Sequence, residues 1–576
     1  MALGHAPTIG FVTDWLHPGY QEQIWRGTLA AARDREVNVV CLVAGIPGSD
    51  VLQQLNNPLY DLAATQSLDG AILIASTLIG LDAGDTRRFL DRFRGLPLCS
   101  IAVEVAGASS VVIDNDAGIA SAVHHVVHMH GYRNIGFIRG PESSPEAERR
   151  FEVFCSALTD HSLEVNEQLI LPGDFTAPGG ERAASILLDQ RRISLKDVDC
   201  IIAANDGMAI SFMEALFTRG YRVPNDVALV GFDDIAEAKY TRSPLTTVRQ
   251  PITEEGIEAL RSVLGLVRSE TPDRLLLNAE LVVRRSCGCY MSTSAVQASV
   301  RDEAEPTFGF DAMLVSRRQK ILAELLRAAR GGFSFLGSAW EARLLAALSR
   351  QVRGDEPGAF REAVEDALRR IAEAGIDPAA FQDVLTVLWQ QVAPCTLKSA
   401  ETRSRLEIAL DDARLDTSAA ALRMQAANWA HNVAHLTEVV RVASALSAAR
   451  SLDGIAARVQ PVLAGLGMRQ LDLALLANSS PEADVERILT VTPTVVDRTR
   501  VLVRKSQYLG QLLQGGSPVA LYVAPLGLGP EIFGFVAFQM QQPEYLVCDA
   551  LRGSLSAAVA NLQLLKGISR SSPDSG

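Results

Sequence analysis

From Thr8 to about Arg285 the chain alternates short apolar runs with stretches of helical periodicity, and a parallel sheet flanked by helices is the architecture that this alternation demands. The runs are TIGFVT, VNVVCLVA, GAILIAS, LPLCSIAV, NIGFIRG, DCIIAAN and VALVGFD. They are continuously apolar, as strands covered on both faces must be. The segments between them, such as YQEQIWRGTLAAARDRE, carry helical spacing, and the length leaves room for two such lobes over 8–290.

Beyond this region the pattern changes. The polar, aperiodic stretch over 291–312 predicts a linker, and four helical patterns broken by Gly, Pro and Asp predict a helical bundle over 313–400. Residues 401–448 contain neither Pro nor Gly and predict one long connecting helix. Its Val433, Leu436, Val440 and Ala443 recur at alternating spacings of three and four, which suits pairing in a homodimer or packing on the chain's own bundle. Mixed α/β character returns over 449–567, with QLDLALLA, SPVALYVAPL and EIFGFVAFQM as strands, before a polar tail over 568–576.

Composition narrows the function. The chain has 576 residues, 48% of them hydrophobic, and a mean hydropathy of +0.13, yet no apolar run approaches the ~18 residues that span a bilayer. The N-terminus lacks a basic segment followed by an apolar one, so a soluble cytoplasmic protein without membrane contact is expected. The net charge of −13 argues against a broad phosphate-binding face and hence against direct DNA binding. Eight cysteines are scattered, with only Cys287 and Cys289 close together, so buried free thiols are expected rather than a disulfide framework or a zinc site. His431 and His435 lie four apart on the long helix but have no third ligand in a recognisable pattern. Gly527 and Gly529 suit a hairpin turn better than a phosphate loop. Without a nucleophile elbow, a zincin motif or a nucleotide box, no enzymatic activity, metal or cofactor is expected.

Three phrases carry a family resemblance: GYRNIGFIRGP at 131–141, IIAANDGMAISFMEALFTRGYRVPNDVALVGFDDI at 201–235 and SPLTTVRQP at 243–251. Together they resemble the ligand-binding domain of the LacI/GalR family, which is related to periplasmic sugar-binding proteins. That family places a helix-turn-helix at its front, whereas here the first strand begins at Thr8, so the chain is expected to lack it. The hairpin over 517–540, with its Pro-Leu, glycine turn and Phe-Gly, is similar to the GAF-domain pattern, which implies a separate α+β GAF-like domain over 449–567.

The LacI/GalR resemblance implies a two-lobed domain with its ligand in the cleft between lobes, in keeping with the rule that open α/β sheets bind beyond the carboxyl ends of their strands. Asp14 ends the first strand, and Trp15 and Tyr20 follow in WLHPGY, which resembles the family's first pocket loop. Arg150 stands where the family has the arginine of R-x-x-G-F-x-x-A-L, although Val153 replaces the glycine. Asn205 in AANDGMA and Asp233 in GFDDI match pocket residues, Phe175 resembles an aromatic that covers the ligand, and Asp114 lies where the chain enters the second lobe. Asp206 is expected to cap a helix starting at Gly207, and Asp234 to be structural.

The implied function is a sensor of a small polar, sugar-like ligand. Cleft closure would act through a homodimer on a signalling or transcription partner protein. The alternatives are a transcriptional regulator contacting DNA by an unrecognised element and an enzyme using the GAF-like pocket.

Overall fold

The computed structural model describes residues 6–16, 19–44, 57–63, 67–78, 81–289, 310–329, 333–396, 399–477, 484–513, 519–528, 531–540 and 545–570. Two compact units emerge, one formed by Met1–Tyr290 with Glu438–Gly576 and the other by Met291–Thr437. The side chains of His431 and His435, Gly529 and most of the expected linker and tail lie outside the described residues. Among the described residues no helix is long and apolar enough to cross a membrane.

In the first unit, β1 (Thr8–Thr13), β2 (Asn38–Val43), β3 (Gly70–Ile74), β4 (Leu98–Ile101) and β5 (Ser109–Ile113) form a parallel array ordered β5-β4-β3-β1-β2. A second sheet holds β6 (Ile135–Ile138), β7 (Ile170–Leu171), β8 (Cys200–Ala203), β9 (Ala228–Asp233) and β10 (Thr246–Arg249). The chain then returns to the first lobe, where β11 (Arg274–Leu277) pairs with β5, and crosses again so that β12 (Glu280–Val282) pairs with β10. Three crossings therefore connect the lobes. Every residue of β1, β3, β6, β8 and β9 is buried, which is why their sequences are continuously apolar.

The return passage is fastened by two helices, Gln21–Asp34 and Ile252–Val267, that approach closely enough to exclude side chains. A Cβ at Gly27 would lie 2.0 Å from the Thr253 carbonyl oxygen, and one at Gly256 would lie 2.0 Å from that of Ile24. Glycine at both positions allows the backbones to meet.

The C-terminal strands depart from expectation. β13 (Met468–Leu476), β14 (Val485–Val491), β15 (Val496–Asp497), β16 (Val501–Val503), β17 (Ala520–Leu528) and β18 (Glu531–Met540) form an antiparallel array, and β17 pairs in parallel with β2 from Ala520↔Val39 to Val523↔Leu42. One twelve-stranded sheet results. The GAF resemblance implied a self-contained domain, but β2 and β17 are both apolar edges, and joining them satisfies backbone groups that each would otherwise leave open. Asn38 Oδ1 also accepts from the Val519 amide at 3.0 Å. Ile9, Trp25 and Leu260 share a core with Leu446, Val459 and Leu555.

The second unit contains helices Phe310–Ala328, Trp340–Arg353, Ala359–Glu373 and Phe381–Val392 around a core that includes Trp340, Phe360, Phe381 and Leu388. Leu406, Leu410 and Ala413, from the start of the 48-residue helix Ala400–Ser447, complete that core. Farther along this helix Ile408, Leu415, Leu422, Trp429 and Leu436 are exposed at successive intervals of seven, with Val433 and Val440 beside them. The apolar stripe thus extends well beyond Val433, Leu436, Val440 and Ala443, and its described members from Ile408 to Val440 are exposed.

Gly256→Ala should destabilise the first unit by about 1–3 kcal/mol, the usual cost of forcing a methyl into a closed contact. Thermal or urea unfolding checks this, and an unchanged midpoint would show that the helices can separate freely.

Candidate functional site

A cleft of about 1330 Å³ opens in the first unit where Asp14 follows β1, Asn205 follows β8 and Asp233 ends β9. Gln250 follows β10, and Glu146 and Arg150 come from the helix Pro145–Asp160. The position agrees with the carboxyl-end rule for α/β sheets.

Arg150 is the best-fixed side chain in the cleft. It is only 3% exposed, and its Nε donates to Asn115 Oδ1 at 2.7 Å while Nη1 donates to the Ala204 carbonyl at 2.8 Å. The guanidinium carbon lies 3.8 Å from the centre of the Phe232 ring. Nη2 is 3.8 Å from Glu146 Oε1, and Nη1 is 4.0 Å from Asp233 Oδ1. Packing and hydrogen bonds together leave this fork little freedom.

Asp233 has φ of 123°, a region that non-glycine residues rarely occupy. Its Oδ1 accepts from Gln250 Nε2 at 2.5 Å. Burial pushes its carboxyl up to about 7, against the opposing pull of Arg150 and the Gln250 hydrogen bond. Burial likewise raises Glu146 and Glu255 above the usual carboxylate range. Tyr20 Oη donates to Glu255 Oε2 at 3.3 Å, and burial raises this phenol as well. The buried Glu255 Oε1 and Gln250 Oε1 have no hydrogen-bond partner among the described residues.

Asn205 is itself the cap of the helix Asp206–Thr218, its Oδ1 accepting from the Met208 amide at 3.0 Å while Nδ2 donates to the Phe175 carbonyl at 3.0 Å. This corrects the expectation that Asp206 is the cap. Asp206 is buried inside the first turn, where it accepts from Thr247 Oγ1 at 2.6 Å and the Ile235 amide at 3.0 Å. Asp234 is structural as expected, being held by Arg249 and Arg284.

Of the eight residues singled out by sequence, Asp14, Tyr20, Arg150, Phe175, Asn205 and Asp233 line the cleft. Two do not. Asp114 caps the helix Asn115–His130 by accepting from the Ala117 amide at 2.9 Å, and Trp15 contributes its carbonyl to Thr13 Oγ1 at 2.6 Å. Sequence reasoning missed Glu146, Gln250, Glu255 and Asn115. Glu146 stands four residues before Arg150 on one helical face, a spacing that could have disclosed it. Outside the cleft, His125, His130, Cys287 and Cys289 bring their ligating atoms within 4.8 Å of one another. Both cysteines are free thiols, as expected, Cys287 buried and Cys289 half-buried.

Residues 124–287 match the family model described as a periplasmic binding protein-like domain. The chain is 37% identical over 180 residues to the HTH-type transcriptional regulator CelR of Thermobifida fusca, covering 31% of this chain and 52% of that protein. It is 31% identical over 238 residues to the HTH-type transcriptional repressor CytR of Escherichia coli (strain K12), covering 40% of this chain and 67% of that protein. Among solved structures, the transcriptional regulator CelR–cellobiose complex is matched at 29% identity with a TM-score of 0.43, over 49% of this chain and 86% of that one. The chain belongs to the LacI/GalR family of periplasmic-binding-protein-like regulators. It spans about half the length of CelR and two thirds of CytR. Both relatives bear the names of transcriptional regulators.

The raised Asp233 carboxyl has a measurable consequence. Between the ordinary aspartate value of ~4 and about 7, the unfolded chain gives up this proton while the folded chain keeps it, so this group's contribution to stability falls as pH rises through that window. Asp233→Asn removes the effect. Its melting temperature relative to wild type should therefore climb from pH ~4 to ~7 and level off above. Parallel curves would contradict the burial of a protonated carboxyl.

Proposed function

We propose that this chain is a ligand-sensing transcriptional regulator whose first unit closes on a small polyhydroxylated molecule, a sugar or related metabolite. The observation that carries this reading is the convergence of the pinned Arg150 fork with Asp233, 4.0 Å apart at the cleft. Around them stand Glu146, Glu255 and Gln250, whose Oε1 has no partner among the described residues, so the surroundings of Arg150 are rich in acceptors. Hydroxyl groups, which donate and accept, suit that set. Asp14, Tyr20, Phe175 and Asn205 complete the proposed contacts, with the Phe175 ring as a face for an apolar side of the ligand.

Closure follows if the ligand binds the closed arrangement more tightly than the open one, because only such a difference shifts the two populations. The similarity to two HTH-type regulators favours transcriptional control over relay through a separate signalling protein. The acidic total charge is a property of the whole chain and leaves room for a small basic element.

A thermal-shift screen of the intact chain against neutral sugars, sugar phosphates, nucleobases and amino acids tests the ligand class. A neutral sugar at 100 times its Kd should add roughly 2.7 kcal/mol to native stability, and Asp233→Ala and Arg150→Met should abolish the gain. Stabilisation by sugar phosphates alone, or a shift that survives Asp233→Ala, would overturn the assignment.

We further propose that the chain is a homodimer joined through the helix Ala400–Ser447, since exposed apolar residues at a strict interval of seven are what a two-stranded coiled coil buries. Trp429 is 70% exposed and Leu415 69%, a state that a second copy would relieve. Light scattering should return twice the 62.0 kDa chain mass, falling to one chain in the double variant Leu422→Glu, Trp429→Glu. A monomeric wild type would exclude this interface.

A further inference from the structure

The helix Asn115–His130 carries His125 and His130 on its last turns, and a tight Cys-Gly-Cys turn ends the segment that follows β12. Residues 160 positions apart in the chain thus meet at one point. Cys287 Sγ lies 3.5 Å from His125 Nε2, while Cys289 Sγ lies 3.6 Å from the same nitrogen and 3.3 Å from His130 Nε2. Zinc bonds of about 2.3 Å to sulfur and 2.0–2.1 Å to nitrogen, arranged tetrahedrally, set sulfur–nitrogen edges of about 3.5–3.6 Å. The four side chains therefore stand near the corners of a zinc tetrahedron. We propose that His125, His130, Cys287 and Cys289 form a structural zinc site.

The surroundings fit this role. Gly288 adopts φ of 101°, and a Cβ there would come within 2.8 Å of Tyr132 Oη, so glycine is what lets both sulfurs face the same side. Tyr132 Oη donates to the Cys287 carbonyl at 3.1 Å, and its ring stacks on His130 with centroids 5.0 Å apart. Thr246 Oγ1 donates to Cys287 Sγ at 3.1 Å, the kind of outer contact that stabilises a ligating thiolate. Gly131, in the left-handed region at φ of 70°, ends the helix directly after His130. Two thiolates balance the charge of the divalent ion, and imidazole with thiolate is the donor set that selects zinc over magnesium or calcium. Because four protein ligands fill the coordination sphere, the ion would fasten the segment Ser286–Cys289 to the helix rather than activate water.

The test uses the full-length chain purified under reducing conditions. Elemental analysis should find about one zinc per chain, and cobalt substitution should produce the visible bands of a tetrahedral sulfur–nitrogen site. Both should be lost in the double variant Cys287→Ser, Cys289→Ser and retained in Cys155→Ser, which lies outside the cluster. His130→Gln, at a less buried ligand, should keep the circular dichroism of wild type while weakening metal binding. Thr246→Val should lower zinc affinity about 10–100-fold, as loss of an outer-shell partner does. Wild-type protein that takes up neither zinc nor cobalt after reduction, or a double variant that keeps its metal, overturns the proposal.

Discussion

A guanidinium cannot be taken out of water unless its charge and its donors are met, and Arg150 is the group around which that requirement organises the cleft. Its partners come from four separate stretches: Asn115 at the start of one helix, Glu146 one turn earlier on its own, the Ala204 carbonyl after β8, and Phe232 with Asp233 at the end of β9. Each of these sits at an element end. The second lobe must consequently be correctly assembled before the arginine has any stable position, so the binding site and the fold of the lobe are one problem.

The first lobe meets a different constraint, that of an edge. β2 would end the parallel array with open backbone groups, and the C-terminal strands close it through β17. A chain that leaves this lobe at residue 290 and returns after residue 437 thereby contributes to the same core. The ligand cleft and the C-terminal strands share the sheet on which β1 places Asp14. Any change in how β1 and β2 lie is felt by both.

How much of this was legible in the sequence depended on how local each signal was. The strands announced themselves because burial on both faces leaves no polar positions, and Arg150, Asn205 and Asp233 could be singled out because each stands in a short phrase that resembles the LacI/GalR pattern. Asn205 rather than Asp206 caps the helix because either residue type can, and the choice rests on which side chain faces the amide of Met208. Glu255 lies in the first turn of its helix beside Glu254 with nothing local to mark it out, and its place beside Tyr20 follows from the close approach of two helices that only the fold provides. The pairing of β17 with β2 links strands some 480 residues apart, beyond any periodicity. For the same reason the two histidines and two cysteines looked scattered until the helix and the Cys-Gly-Cys turn met.

The crowding of carboxyls beside a single arginine also bears on how a ligand could drive closure. Burial pushes the Asp233 carboxyl up to about 7 and raises Glu255 as well, so both hold their protons to higher pH than free carboxyls do. On the proposed reading, a ligand hydroxyl donating to Asp233 would stabilise the charged carboxylate and so couple binding to proton release. The gain is largest when the lobes are closed, because excluding water strengthens the contact between Asp233, Arg150 and the ligand. On the proposed reading, a hydroxyl held by these acceptors only in the closed arrangement would supply the differential affinity that a two-state regulator needs.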